Sequence, residues 1–265
     1  GMWLFEEEND TTVKDSSLEG NDGEIKGSLK WGPGRFGQGL VFDGISENYV
    51  EIPDSDSLDM QEKITIAFWF STNNPIRDHQ AIVSKHYTEY EVGIYDTGQI
   101  HTYTSDIGNS ANGYDEGIFA TMAEQIDPDW KLGTWYHVAL VRYNHNLKIY
   151  IDGTDRTSGG VSVTSESIGS STQVCRLGHA YGTSHYGFTG YIDEFRISNL
   201  ARYTSTFTPS TTAFTTDSNT KLLIHGEAVA AVAGVEGATS MTLVSTTTTA
   251  ESAVTKADIL VQTED

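Results

Sequence analysis

The chain has 265 residues, 37% of them hydrophobic, with 26 glycines and 5 prolines, a composition that suits a turn-rich β protein with a real core. Its 37 acidic residues against 16 basic ones leave a formal charge of −21, which repels phosphate backbones and anionic lipid, so no nucleic acid is expected as a partner. A lone cysteine, Cys175, cannot close an internal disulfide, and no run approaches the ~20 apolar residues of a membrane span, so no membrane insertion is expected either.

In chain order, Trp3-Leu4-Phe5 reads as a short apolar strand before an acidic turn, and Glu19 to Gly23 is a Gly/Asn/Asp-rich loop. That loop lacks the spaced oxygens and closing Glu of a calcium loop and reads as a turn. The breaker-rich link from Trp31 to Gly39 leads into Leu40-Val-Phe-Asp-Gly44 and Asn48-Tyr-Val-Glu-Ile52. Lys63 to Phe70 is long, β-branched and aromatic, as a buried sandwich strand should be. A meander follows, with Tyr90 to Tyr95 and Gln99 to Thr104 flanking the turn Asp96-Thr97-Gly98. Alternation puts Val92, Ile94 and Ile100 on its inner face, and Glu91, Tyr95, His101 and Tyr103 on its outer one. Tyr95, His101 and Tyr103 are thereby expected as a shallow sugar platform, because aromatic faces stack on sugar C–H surfaces.

Residues 105–129 form a long Gly/Asn/Asp-rich excursion carrying Tyr114, the kind of loop that holds function. Leu132 to Tyr143 and Leu147 to Gly153 read as a hairpin, and Val174 to Gly178 and Phe188 to Ser198 as further strands. Strict alternation in Gly190-Tyr-Ile-Asp-Glu-Phe-Arg-Ile197 places Asp193 on the side of Phe195 and Ile197. A carboxylate there is costly unless hydrogen-bonded, paired or metal-bound. After Pro209 the character changes: Lys221-Leu-Leu-Ile224 is one more short strand, and Ala228 to Asp265 is too short for an independent sandwich. The expected organisation is a sandwich over 1–214 and a small C-terminal β extension, or truncated neighbouring domain, over 215–265.

Five segments in order, from Phe36-Gly and Phe42-Asp-Gly44 through Trp135-Tyr-His-Val-Ala139 and Tyr150-Ile-Asp-Gly153 to Gly190-Tyr-Ile-Asp-Glu194, resemble the laminin-G-like domains of the concanavalin A-like lectin/glucanase superfamily. The resemblance covers about residues 3–207 and implies an all-β, two-sheet antiparallel sandwich of jelly-roll type. Relatives of this kind hold a structural Ca²⁺ with an Asp of the closing strand and early-turn oxygens, which implies Asp193 with Asp43 and Gly44 as ligands. The bare alternative is that Asp193 caps backbone N–H groups. Strings after Ala201 are similar to modules of bacteriophage and environmental surface proteins, which implies an extracellular or virion-surface location.

Glycoside hydrolases of the superfamily carry Glu-x-Asp-x-x-Glu on one strand. No such run is present, Asp193 and Glu194 are adjacent and point apart, and Glu89 and Glu91 lack the rest of the pattern, so no catalysis is expected. The function expected is a non-catalytic recognition module for a glycan or surface polymer. It would use the concave sheet and its rim loops, through Tyr95, His101, Tyr103, Tyr114, Trp130, Tyr181 and Tyr186. The competing expectation is a structural or adhesion domain of a virion or cell-surface assembly, docked to neighbouring domains.

Overall fold

A computed structural model describes residues 11–73, 79–86, 89–104, 118–119, 122–123, 130–144, 146–158, 168, 170–180 and 187–226. In chain order its strands are β1 (Thr12–Val13), β2 (Gly23–Lys26), β3 (Lys30–Pro33), β4 (Gln38–Asp43), β5 (Tyr49–Ile52), β6 (Ile64–Ser71), β7 (Gln80–Lys85), β8 (Tyr90–Ile94) and β9 (Ile100–Thr104). They continue with β10 (Ile118–Phe119), β11 (Met122–Ala123), β12 (Tyr136–Tyr143), β13 (Asn146–Ile151), β14 (Thr154–Asp155), β15 (Thr157–Ser158), β16 (Cys175–Leu177), β17 (Thr189–Ser198) and β18 (Thr220–Ile224). A 3-10 turn, Asp56–Leu58, lies between β5 and β6.

The strands form two antiparallel sheets. The first runs β1-β2-β5-β16-β7-β8-β9-β10, the second β14-β13-β12-β6-β17-β4-β3, with β18 also paired to β17, and β11 and β15 form a separate small pair. The fold is the two-sheet sandwich that the sequence implies. Its inter-sheet core takes Val50, Ile52, Val92, Ile94, Ile100 and Leu177 from the first sheet. From the second it takes Leu40, Ile66, Phe68, Phe70, Val138, Leu140, Ile192 and Phe195.

Strand β6 is buried at every residue, because both faces of the second sheet are covered. Ile64, Ile66, Phe68 and Phe70 face the inter-sheet core, while Ala67 and Trp69 join a second apolar cluster with Ala139, Val141, Tyr150 and Phe214. The cover over that outer face is the chain after β17. Arg202 N donates to Thr65 Oγ1 at 2.9 Å and Phe207 N to Gly153 O at 2.9 Å. A Cβ on Gly153, at φ +75°, would lie 1.8 Å from Phe207 O, so the turn after β13 must be glycine for the cover to close.

Two expectations are corrected. Strand β18 pairs with the C-terminal half of β17, Phe195 opposite Ile224 and Ile197 opposite Leu222, and the sandwich unit extends to Gly226. The boundary therefore lies beyond 214, and the rest of the extension falls outside the described residues. Asp193 does not share a face with Phe195 and Ile197. The register of β17 against β6 shifts between Asp193 and Arg196, and Glu194 sits there at φ 54°. This β-bulge lets Ile192 and Phe195 both reach the core and turns Asp193 away from it.

Candidate functional site

The outer face of the first sheet is polar where the outer face of the second is apolar. Because Val50, Ile52, Cys175, Leu177, Val83, Tyr90 and Val92 point into the core, alternation turns Glu51, Arg176, Ser84 and Glu91 outward. The strand registers align these residues. Thr12, Glu24, Glu51, Arg176, Ser84, Glu91, Tyr103 and Phe119 are successive Cα partners across all eight strands. Seven inter-strand steps make a rank about 34 Å long.

Burial increases along it, from an exposed Glu24 to Ser84 at 0% and Glu91 at 3%. At its open end Glu51 lies 3.5 Å from both Lys26 Nζ and Arg176 Nη2. The Arg176 guanidinium stands 4.9 Å from the centre of the Tyr49 ring, whose other neighbour is the His179 ring at 5.7 Å, stacked. This places an aromatic face, a planar cation and a carboxylate within one patch.

The closed end gathers His79, Glu91, Tyr95 and His101. His79 Nε2 and His101 Nε2 are 2.9 Å apart, and Glu91 Oε1 is 3.8 Å from His101 Nε2. The Tyr95 ring stacks on His101 at 4.3 Å and lies 4.6 Å from His79. His101 fits because Gly93 lies beneath it: a Cβ there would fall 2.3 Å from His101 Cε1 and 2.7 Å from Gln80 O.

Of the residues expected to contact a ligand, Tyr95 and His101 are brought together, but His101 is only 1% exposed. Facing outward did not leave it open, since its ring is packed between Gly93, Tyr95 and His79. The backbone of Tyr103 belongs to the rank, and its side chain lies outside the described residues, as do Tyr114, Tyr181 and Tyr186. Trp130 is a correction: it is 4% exposed and packs on Phe70 and Tyr136, while its Nε1 donates to Gly98 O at 3.0 Å. It closes the β8–β9 hairpin from inside.

Asp193, Asp43 and Gly44 are not brought together. Asp43 is opposite Thr189 and Leu40 is opposite Ile192, so Asp193 stands about 13 Å along β4 from Asp43. Asp43 Oδ1 accepts from Ile45 N and its Oδ2 from Asn48 Nδ2. Asp193 Oδ2 accepts from Phe36 N at 2.8 Å and its Oδ1 from Glu194 N at 2.8 Å. Burial pushes its carboxyl up to about 6 against the pull of the Phe36 N–H. Nor do Glu89 and Glu91 form a pair. Glu89 holds Lys85 Nζ at 2.8 Å together with Asp59 at 2.5 Å and Asp54 at 3.1 Å, a buried clasp on the β7–β8 turn, whereas Glu91 faces His101. Burial opposes the Lys85 charge, but the bonds to Asp59 and Glu89 hold it above the usual lysine range.

Tyr49, Glu51, Arg176, His179, His79 and Glu91 were not singled out as site residues by sequence. The signal was present in part: Tyr49-Val-Glu-Ile52 and Cys175-Arg-Leu177 alternate with their apolar residues inward. Nothing local says that these two segments are neighbours.

Residues 43–206 match the family profile described as the concanavalin A-like lectin/glucanases superfamily. No curated protein matches the chain. Among solved structures it is similar to the binding domain of Paraclostridial Mosquitocidal Protein 1, at 14% identity and a TM-score of 0.55, with 73% of this chain and 47% of that one covered. It is also similar to the botulinum neurotoxin serotype G binding domain, at 16% identity and a TM-score of 0.51, with 73% and 46% covered. The chain thus spans less than half the length of either, and both likenesses concern the fold.

Proposed function

The chain belongs to the concanavalin A-like lectin/glucanase superfamily, and on that premise we propose that it is a non-catalytic module that binds carbohydrate on the outer face of its first sheet. The observation that carries this reading is the patch at the open end of the rank. Tyr49, stacked on His179, braces the Arg176 guanidinium that lies over its ring, and Glu51 and Arg176, facing each other at 3.5 Å, supply an acceptor and a planar donor for sugar hydroxyls. Polar groups fixed on neighbouring strands of a buried-core sheet are already ordered before binding, which lowers the cost of association. The two toxin domains of similar fold are binding domains by description, which agrees with this use of the sandwich and does not extend to their receptors.

The carboxylates of this face are arranged for holding rather than for turnover. Glu51 and its neighbour Glu24 are both tied to Lys26 Nζ, at 3.5 and 2.8 Å, and Glu51 also to Arg176, while three inter-strand steps separate Glu51 from Glu91, about 14 Å against the ~5–9.5 Å between the two acids of a glycosidase. The module is proposed to act outside the cell or on a virion surface, next to other domains.

The test is a glycan-array screen of the full chain, in parallel with Ca²⁺ and with a chelator, repeated for Arg176→Ala and Tyr49→Ala. Discrete hits lost in both variants at unchanged Tm support the reading, and loss of hits with chelator alone would make Ca²⁺ part of it. A blank array in both buffers would overturn it in favour of a structural or adhesion domain.

A further inference from the structure

We propose that His79, Glu91 and His101 form a zinc-class divalent metal site at the closed end of the rank. The inference stands whether or not the open end binds carbohydrate.

The three donors come from neighbouring strands. His101 is on β9 opposite Gly93, Glu91 lies two residues before Gly93 on β8, and His79 immediately precedes β7, whose Gln80 is opposite Ile94. All three therefore meet on one face over one glycine. Their donor atoms, two imidazole nitrogens and a carboxylate oxygen, lie within 4.8 Å of one another. In a tetrahedral site with metal–ligand bonds of about 2.0–2.2 Å, the donor–donor edges are about 3.3–3.6 Å. The observed separations of 2.9 Å between the nitrogens and 3.8 Å from nitrogen to oxygen bracket that edge. The third separation, from His79 to Glu91, is within 4.8 Å, so the ion would have to draw these two donors together.

The two Nε2 atoms can share one proton, which requires opposite tautomers, and the carboxylate oxygen at 3.8 Å from His101 Nε2 is beyond hydrogen-bond reach of it. A bound divalent ion would take a lone pair from both nitrogens and from the carboxylate at once.

The surroundings favour rigidity. Gly93 admits the His101 ring where any side chain would displace it, and the Tyr95 ring braces both imidazoles. Glu91 and His101 are buried while His79 is half-exposed, so the ion would enter past His79. Two imidazoles and one carboxylate suit a borderline ion such as Zn²⁺ rather than Ca²⁺, which takes oxygen ligands. Three protein ligands leave a fourth position for water or a solute donor.

The test is titration of the chelator-stripped full chain with ZnCl₂ by calorimetry, and with CoCl₂ by visible absorption, which reports the coordination geometry. The expected result is one saturable equivalent, a rise in Tm with Zn²⁺, and the spectrum of four-coordinate Co²⁺. Loss of a ligand in His79→Ala should weaken binding about 100-fold or more, and Glu91→Gln and His101→Ala should do the same. His79 is half-exposed, so its variant should cost the least stability of the three, and it decides the matter if the two buried positions do not tolerate change. The chain has eight histidines. Weak binding at several equivalents that survives His79→Ala, or no saturable binding at all, would overturn the proposal.

Discussion

The two sheets carry a buried histidine on each outer face, and the faces treat it in opposite ways. On the second sheet His137 is surrounded by the edges of Trp69, Tyr203, Phe207 and Phe214, with ring centres 5.3–6.0 Å away. Neither of its ring nitrogens has a hydrogen-bond partner among the described residues. Burial, with the nearby Arg196 charge, pushes its pKa down to about 3. On the first sheet His101 faces a second histidine and a carboxylate. One outer face has become a second core and the other has kept convergent polar groups. The outer face of the second sheet therefore adds to the packing shared by both sheets, and that of the first keeps the candidate chemistry.

If the second face is a core, cutting its cover should cost the most. Phe214 is 6% exposed, has the Arg196 guanidinium 4.1 Å from its ring centre, and its N–H donates to the Glu194 carboxylate. Phe214→Ala should lose about 3–5 kcal/mol, read as a lower urea midpoint, with metal and ligand binding of the remaining folded protein unchanged. A small loss would mean that the cover is an ornament on a sheet stable without it.

The next effect depends on pH. A depressed folded pKa means that folding is favoured by the neutral imidazole, so His137 supports the fold above its unfolded value of 6.5 and loses that support as pH falls towards 3. His137→Leu removes the titration and the buried polar atoms. The variant should be about 1–2 kcal/mol more stable at pH 7, and the gap should widen by about 1.4 kcal/mol per pH unit below 6.5. Parallel stability profiles for parent and variant would show that His137 has a polar partner.

These differences were legible in the sequence only where they follow the two-residue period. Val92, Ile94 and Ile100 are inside and Glu91 and His101 outside, as alternation requires. The phase failed at Asp193 because a bulge with Glu194 at φ 54° carries no glycine to mark it. His101 is closed off because alternation gives a face but not what lies on it, and the Trp130 indole shows an aromatic spent on closing a hairpin. The rank itself was out of reach: Glu51 meets Arg176 through a pairing 125 residues apart in the chain, and register over such a distance is set by the packed sandwich. Gly93 was a usable clue, since a glycine inside a strand marks close approach.

That glycine gives a prediction of intermediate size on the first face. In Gly93→Ala the new methyl would meet His101 Cε1 and the Gln80 carbonyl, and one of them must move. The expected cost is about 1–3 kcal/mol, with Zn²⁺ binding weakened as the His101 ring tilts away from His79. A loss of stability with unaltered Zn²⁺ affinity would separate Gly93 from the metal site and leave it a packing residue.

The smallest effect on stability falls where the largest effect on binding is expected. Arg176 makes a 3.5 Å ion pair with Glu51 at a partly exposed position and a cation–π contact with Tyr49, which together are worth within about 1 kcal/mol. Arg176→Ala should therefore barely move the Tm while abolishing glycan binding, the inverse of Phe214→Ala. Arg176→Lys sharpens the contrast, since it keeps the charge but loses the flat fork that lies over Tyr49. If the ligand is held by stacking and paired hydrogen bonds, the lysine variant should fail like alanine, and if by charge alone it should bind like the parent. Binding that survives both substitutions would remove the open end of the rank from the site and leave the first face without the function that its polarity suggests.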